Sequence, residues 1–217
     1  MNIRPESYTW IVGSALPTVL FYGIWVYTAS YWFLGLFVLS AGLTVFFVYF
    51  FRDPDREPDF RNLPTVNNPE EHWLAPADGI VTRVDTTEDG RNRIVIFLTV
   101  FNVHVNRMPV SGTIRGIEYR EGRFLPAFAD NIEERNERNR IICHDNESRE
   151  FEVWQIAGLL ARRIHFWNDL GDQFNQGDRF GMIALGSRTD LILPGGVDPT
   201  VSVDQSIRGG ETVVATG

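Results

Sequence analysis

The sequence contains no lysine; its 20 basic side chains other than histidine are all arginine. This absence excludes a lysine Schiff base with pyridoxal phosphate, and it excludes lipoyl- or biotinyl-lysine. There is one cysteine, Cys143, so the chain forms no internal disulfide and offers no Cys pair for zinc. No metal site is expected. Basic charge is also scarce overall, with a formal net charge of −8. Nucleic-acid binding asks for a basic face, so that class of partner is set aside.

The largest absence is local. Between Glu6 and Arg52 there is no charged residue, a run from Ser7 to Phe51. One Arg or Asp at the centre of a span costs about 2.5–3.5 kcal/mol in a bilayer. The run is too long for one crossing and fits two of about 20 residues. Dividing it at Thr28-Ala29-Ser30 predicts spans over Trp10–Tyr27 and Tyr31–Phe51, with Trp25, Tyr27, Tyr31 and Trp32 at one interface and Tyr8, Trp10, Tyr49 and Phe50 at the other. Pro17 is tolerable inside such a helix. A cleaved signal peptide ending near Ala29-Ser30 would still leave an apolar segment behind it. A re-entrant hairpin that does not cross stays open beside a transmembrane one. Arg4, Arg52 and Arg56 flank the pair, which places both ends and the rest of the chain on the cytoplasmic side of the cell membrane.

Beyond Arg52 the pattern changes. Asp53 to Pro58 and Leu63 to Pro69 read as irregular linker. After Leu74 come short β-forming runs, among them Ile80–Val84, Ile94–Val100, Thr113–Tyr119, Glu150–Ile156 and Ala161–Phe166. The only helical candidate is a polar stretch around Asp130–Asn139, which reads equally well as a loop. Phe174, Gly177, Asp178 and Phe180 recur 33 positions later as Ile207, Gly210, Glu211 and Val213. This weak repeat resembles the glycine turns of lipoyl/biotinyl-type barrel-sandwich domains. The expected fold is mainly β: a membrane hairpin over 1–51, a linker over 52–73, and a barrel-sandwich catalytic domain over 74–217.

Three segments concentrate chemistry: Ala75-Pro76-Ala77-Asp78-Gly79, Phe101 to Gly112, and Phe180 to Asp190. In Gly186-Ser187 the hydroxyl can attack the preceding carbonyl, which glycine leaves unshielded. Gly-Ser is otherwise a common turn dipeptide, and the G-x-S-x-G nucleophile elbow is missing. His104, one of four histidines, follows an apolar strand and is the candidate base. Asp78 lies in a Pro/Gly-flanked turn, where it can orient His104 or simply close an Asx-turn.

These segments, together with Phe50-Phe51-Arg52-Asp53-Pro54 and with Gln155-Ile156-Ala157-Gly158 followed by Ala161-Arg162-Arg163-Ile164, resemble the short archaeal/bacterial phosphatidylserine decarboxylases in the same order. The resemblance implies self-cleavage between Gly186 and Ser187, giving a β chain of 1–186 and an α chain of 187–217 that stay associated. It implies that Ser187 becomes a pyruvoyl group that forms a Schiff base with the substrate's amine, and that Asp78 and His104 serve catalysis. Phosphatidylserine would yield phosphatidylethanolamine, with archaetidylserine as the alternative lipid. Longer family members carry a second histidine where Arg107 stands, which leaves the base for self-cleavage open. Arg107, Arg162, Arg163 and Arg188 are candidates for holding phosphate or carboxylate. Two rivals are weighed against this: a membrane-tethered, non-enzymatic adaptor, and a pyruvoyl decarboxylase of a soluble amino acid. Homo-oligomerisation stays open.

Overall fold

The uncharged run forms two helices, α1 (Tyr8–Thr28) and α2 (Tyr31–Phe50), in the computed structural model, which describes residues 2–60, 71–125, 135–159, 163–184 and 187–217. Both are long and apolar enough to cross a membrane. The break falls at Ala29, whose left-handed φ of 51° ends α1 while its N–H donates to the Trp25 carbonyl. The helices pack through Trp10 on Phe47 and Tyr22 on Phe37, with ring centroids 5.5 and 5.3 Å apart. The Thr18 and Thr44 hydroxyls meet across the pair at 3.4 Å. Each also bonds the carbonyl four residues back, so neither lacks a partner in apolar surroundings. β1 (Asn2–Ile3) pairs antiparallel with β2 (Arg52–Asp53), so both ends of the hairpin emerge together.

The chain divides into two compact units, Met1–Asp55 and Arg56–Gly217. The second is built of antiparallel strands. In chain order they are β3 (His72–Leu74), β4 (Gly79–Thr86), β5 (Asn92–Leu98), β6 (Val105–Arg107), β7 (Gly112–Arg120), β8 (Arg138–Asp145), β9 (Glu150–Ala157), β10 (Ile164–Phe166), β11 (Gln173–Phe174), β12 (Arg179–Ile183), β13 (Ser187–Ile192), β14 (Asp198–Pro199), β15 (Ser206–Ile207) and β16 (Val213–Thr216). The main sheet runs β11-β7-β8-β9-β13-β5-β4-β15, flanked by the sheets β10-β12-β6 and β14-β16-β3. One face of the main sheet carries Ile94, Ile96, Leu98, Ile114, Ile141, Val153 and Leu191 into a core shared with Trp73, Phe151 and Phe180. The architecture is therefore mainly β and sandwich-like behind an apolar helical hairpin, as expected.

The repeat of 33 residues has a structural counterpart. Gly177 and Gly210 both take left-handed φ, +82° and +74°. The Gly177 N–H donates to the Met108 carbonyl, and the Gly210 N–H to that of Ala75. Each turn thus clips one of the three chemistry-bearing segments, 101–112 and 75–79 respectively. The polar stretch placed around Asp130–Asn139 lies outside the described residues as far as 134, but Arg138 and Asn139 belong to strand β8 and not to a helix. The Leu63–Pro69 linker lies outside them too. Ala161, expected to open a strand, is likewise not described, and β10 starts at Ile164.

Candidate active site

Ser187 opens β13, the strand between β9 and β5. It is paired with Ala157 on one side and Leu98 on the other. Side chains alternate along the strand, so Ser187, Thr189 and Leu191 point to the core face. Ser187 is fully buried, and its Oγ has no hydrogen-bond partner among the described residues. Burying a hydroxyl that way costs about 1–3 kcal/mol. No base among the described residues hydrogen-bonds to it in this conformation. Gly186 lies outside the described residues.

His104 sits between β5 and β6 and is 1% exposed. Its Nδ1 is 2.9 Å from the Asn102 carbonyl oxygen. A carbonyl only accepts, so Nδ1 carries the proton, and in the neutral ring Nε2 holds the lone pair. Asn102 is itself fixed, because its side-chain oxygen accepts from Thr99 N–H and Oγ1 at 2.8 and 2.7 Å. The His104 carbonyl accepts from the Ile183 N–H at 3.3 Å, which moors this turn to the chain entering Ser187.

Asp78 does not take the imidazole. Its carboxylate receives Nη1 and Nη2 of Arg56 at 2.7 and 2.9 Å. It also accepts the Gly209 N–H at 2.9 Å and the Val103 N–H at 3.2 Å. Two backbone donors and a planar cation fill a carboxylate's acceptor sites, leaving no place for the expected direct bond to His104. Asp78 reaches the histidine segment through the backbone of the preceding residue. Arg56 lies in a stretch that reads as irregular linker, where only its charge beside the hairpin stands out and nothing marks it as a site residue.

Behind Ser187 lies a buried polar chain. Asn106 Nδ2 donates to Thr189 Oγ1 at 3.2 Å, Gln155 Nε2 donates to Asn106 Oδ1 at 2.9 Å, and Asn139 Nδ2 donates to Gln155 Oε1 at 3.3 Å. All four side chains are essentially buried. They fasten β6, β8 and β9 to the strand that Ser187 begins.

The model of the phosphatidylserine decarboxylase family matches residues 43–215 of this chain. The chain belongs to that family. It is 43% identical over 99% of its length to the phosphatidylserine decarboxylase proenzyme of Nitratidesulfovibrio vulgaris, covering 94% of that protein. It is 46% identical to the phosphatidylserine decarboxylase proenzyme of Thermobifida fusca, over 80% of this chain and 73% of that one. It is also 41% identical to a putative archaetidylserine decarboxylase proenzyme of Methanosarcina acetivorans, over 99% of this chain and 96% of that one.

Two of the arginines expected to hold phosphate or carboxylate have internal partners in this decarboxylase-family chain. Arg188 is 4% exposed and makes a bidentate pair with Asp190 at 2.6 Å. Arg107 is equally buried; its Nη1 donates to the Gly177 carbonyl at 3.0 Å, and its stem fills the space over Gly210. It bridges the two repeat turns. Arg163 is exposed, and Arg162 lies outside the described residues.

The opposite face of the main sheet carries a polar cavity of about 900 Å³, lined by Arg91, Arg93, Arg138, Arg140, Glu152 and Trp154 among others. It lies across the sheet from the Ser187 side chain, because Ile192, Glu152 and Trp154 occupy the alternate positions. Its centre is Glu152, 1% exposed, between Arg91 at 2.7 Å and Arg140 at 2.6 Å. Burial opposes ionisation there, but Arg140, Trp154 and Arg91 together outweigh it and hold the carboxyl down at about 2.

Proposed function

We propose that this chain is a self-processing phosphatidylserine decarboxylase whose Ser187 becomes the N-terminal pyruvoyl group of a small fragment, 187–217. The supporting observation is the Ser187 hydroxyl: buried, without a hydrogen-bond partner among the described residues, and placed directly after a glycine at the start of an interior strand. A structural serine at such a site would be bonded. The domain reading goes with it: a membrane hairpin over 1–51, a linker over 52–73 and a catalytic domain from 74 onward.

In the first step Ser187 Oγ attacks the Gly186 carbonyl carbon. The peptide C–N bond breaks as the ester C–O bond forms, and the hydroxyl proton ends on the freed amine. His104 Nε2 is the candidate carrier of that proton, since Nδ1 is fixed as a donor to Asn102. Loss of the Ser187 Cα proton then breaks Cβ–Oγ and releases Gly186 as a carboxylate. Water hydrolyses the resulting imine tautomer, freeing ammonia and leaving a ketone. That ketone supplies an electron sink for a substrate losing carbon dioxide. His104 is also the candidate proton donor to the decarboxylated carbon.

The hairpin suits a substrate whose tails stay in the bilayer, where each buried CH₂ contributes about 0.8 kcal/mol. Arg4, Arg52 and Arg56 put the catalytic unit on the cytoplasmic side. Mass spectrometry of the purified full-length chain tests the reading. Two pieces are expected, the smaller beginning with a carbonyl that borohydride reduces. An intact chain that still releases carbon dioxide from phosphatidylserine would overturn it. The Methanosarcina relative makes archaetidylserine the second substrate to assay, with diacyl and ether-linked serine lipids compared side by side.

A further inference from the structure

We propose that Arg56 is a positioning residue for self-cleavage at Ser187, acting through Asp78; this rests on the reading of Ser187 given above. Arg56 and Asp78 form a knot of buried charge in the catalytic unit. Their side chains are 7% and 10% exposed. Arg56 grips both carboxylate oxygens, donates through Nη1 to the Gly209 carbonyl at 3.1 Å, and sets Nε 3.5 Å from Glu211. The Gly209 N–H returns to Asp78, so cation, anion and backbone close a ring.

Two consequences follow from where these groups lie in the chain. Asp78 holds Val103 N–H, and the Asn102 carbonyl holds His104 Nδ1. The imidazole is therefore set by a turn that the carboxylate pins from one side. A carboxylate without its guanidinium would keep two amide donors and gain an unpaired charge in a nearly dry site, so it would turn toward water or another donor and release that turn. The ring also joins the two future fragments. Arg56, Asp78 and Val103 precede the cut, while Gly209 and Glu211 follow it. The fragment that would begin at Ser187 is thus held at its start by the sheet and near its C-terminal end by this ring.

Lysine cannot substitute fully, because a point ammonium does not span both carboxylate oxygens in the plane of the fork. The experiment uses the full-length chain in phospholipid vesicles and follows the appearance of the 187–217 fragment with time. Parent, Arg56→Gln, Arg56→Lys, Asp78→Asn and the Arg56→Gln/Asp78→Asn pair are compared, with thermal unfolding as the control for folding. Arg56→Gln is expected to slow cleavage at least tenfold and Arg56→Lys several-fold. The pair should be no slower than Asp78→Asn alone, since Arg56 works through Asp78. The KM of whatever enzyme matures should stay at the parent value.

Cleavage of Arg56→Gln within twofold of the parent overturns the proposal, as does a pair whose two effects multiply. Where Arg56→Gln lowers the unfolding temperature, Arg56→Lys decides: parent-rate cleavage by a stably folded Arg56→Lys chain overturns it. A parent chain that never cuts, by contrast, overturns the reading of Ser187 and this proposal with it.

Discussion

Ser187 bears the only hydroxyl among the buried side-chain polar atoms that lack a partner in the described residues. Keeping it so costs stability, and the cost makes a prediction. Ser187→Ala should abolish both fragmentation and decarboxylation while raising folding stability by about 1 kcal/mol, because methyl suits the site better than an unpaired hydroxyl. Denaturant unfolding of the purified variant checks this; a clear loss of stability would mean the hydroxyl has a partner after all. Cys143 makes the contrasting case. Burial pushes its thiol up to about 12, and nothing nearby favours a thiolate. A thiol reagent at pH 8 should modify native protein at least a hundredfold more slowly than unfolded protein. At this scale the sequence singled out Ser187 and His104 as candidates through motif order. It hid Arg56, which sits between Asp55 and Glu57 near two prolines and follows no period. The Arg188–Asp190 pair was hidden as well: residues two apart share a face only on a strand, and this segment does not read as one.

At the scale of elements, the hairpin was the most legible part, because a gap in charge needs no period to be seen. Helices begin and end within two residues of the expected spans, and the break falls at Ala29. The apolar strands β4, β5, β7 and β9 were equally visible. Strands β8 and β13 were not, and the physical reason is shared. β8 alternates Arg138 and Arg140 with Asn139 and Ile141, and β13 alternates Arg188 and Asp190 with Ser187 and Thr189. Their outer faces carry ion pairs and their inner faces carry amides and hydroxyls, so neither shows the apolar alternation that marks a half-buried strand. The turn into β4 offers a test. Gly79 has φ of +156°, and a Cβ there would stand 2.3 Å from the Phe97 carbonyl oxygen. Gly79→Ala should cost about 2 kcal/mol or more, since both backbone and neighbour must move. Calorimetry showing an unchanged melting temperature would rule that strain out.

For the whole molecule, the acidic limit of stability is set in part by Glu152. Its carboxyl lies near 2 in the folded chain against 4.5 for the unperturbed group. The depressed value means its contribution is complete above about pH 4.5 and is lost as pH falls through about 2, a span worth roughly 3 kcal/mol. Glu152→Gln should therefore be less stable at neutral pH and show a flatter decline between pH 5 and 2. Parallel acid titrations of parent and variant unfolding would reveal a shared slope if Glu152 were irrelevant. Full-length protein should also float with phospholipid vesicles in a density gradient, because the two helices expose Leu16, Val19, Val26, Leu39 and Val45.

The position of β13 has one more outcome. It is an interior strand, hydrogen-bonded along its whole length on both sides. A chain cut just before it loses a covalent link but none of the ladder that strand supplies. Two polypeptides made apart, 1–186 and 187–217, would each lack what the other needs to close the sheet. They should neither trade partners nor recover activity when mixed, so cleavage at the proposed bond would require the chain to fold as one piece before becoming two.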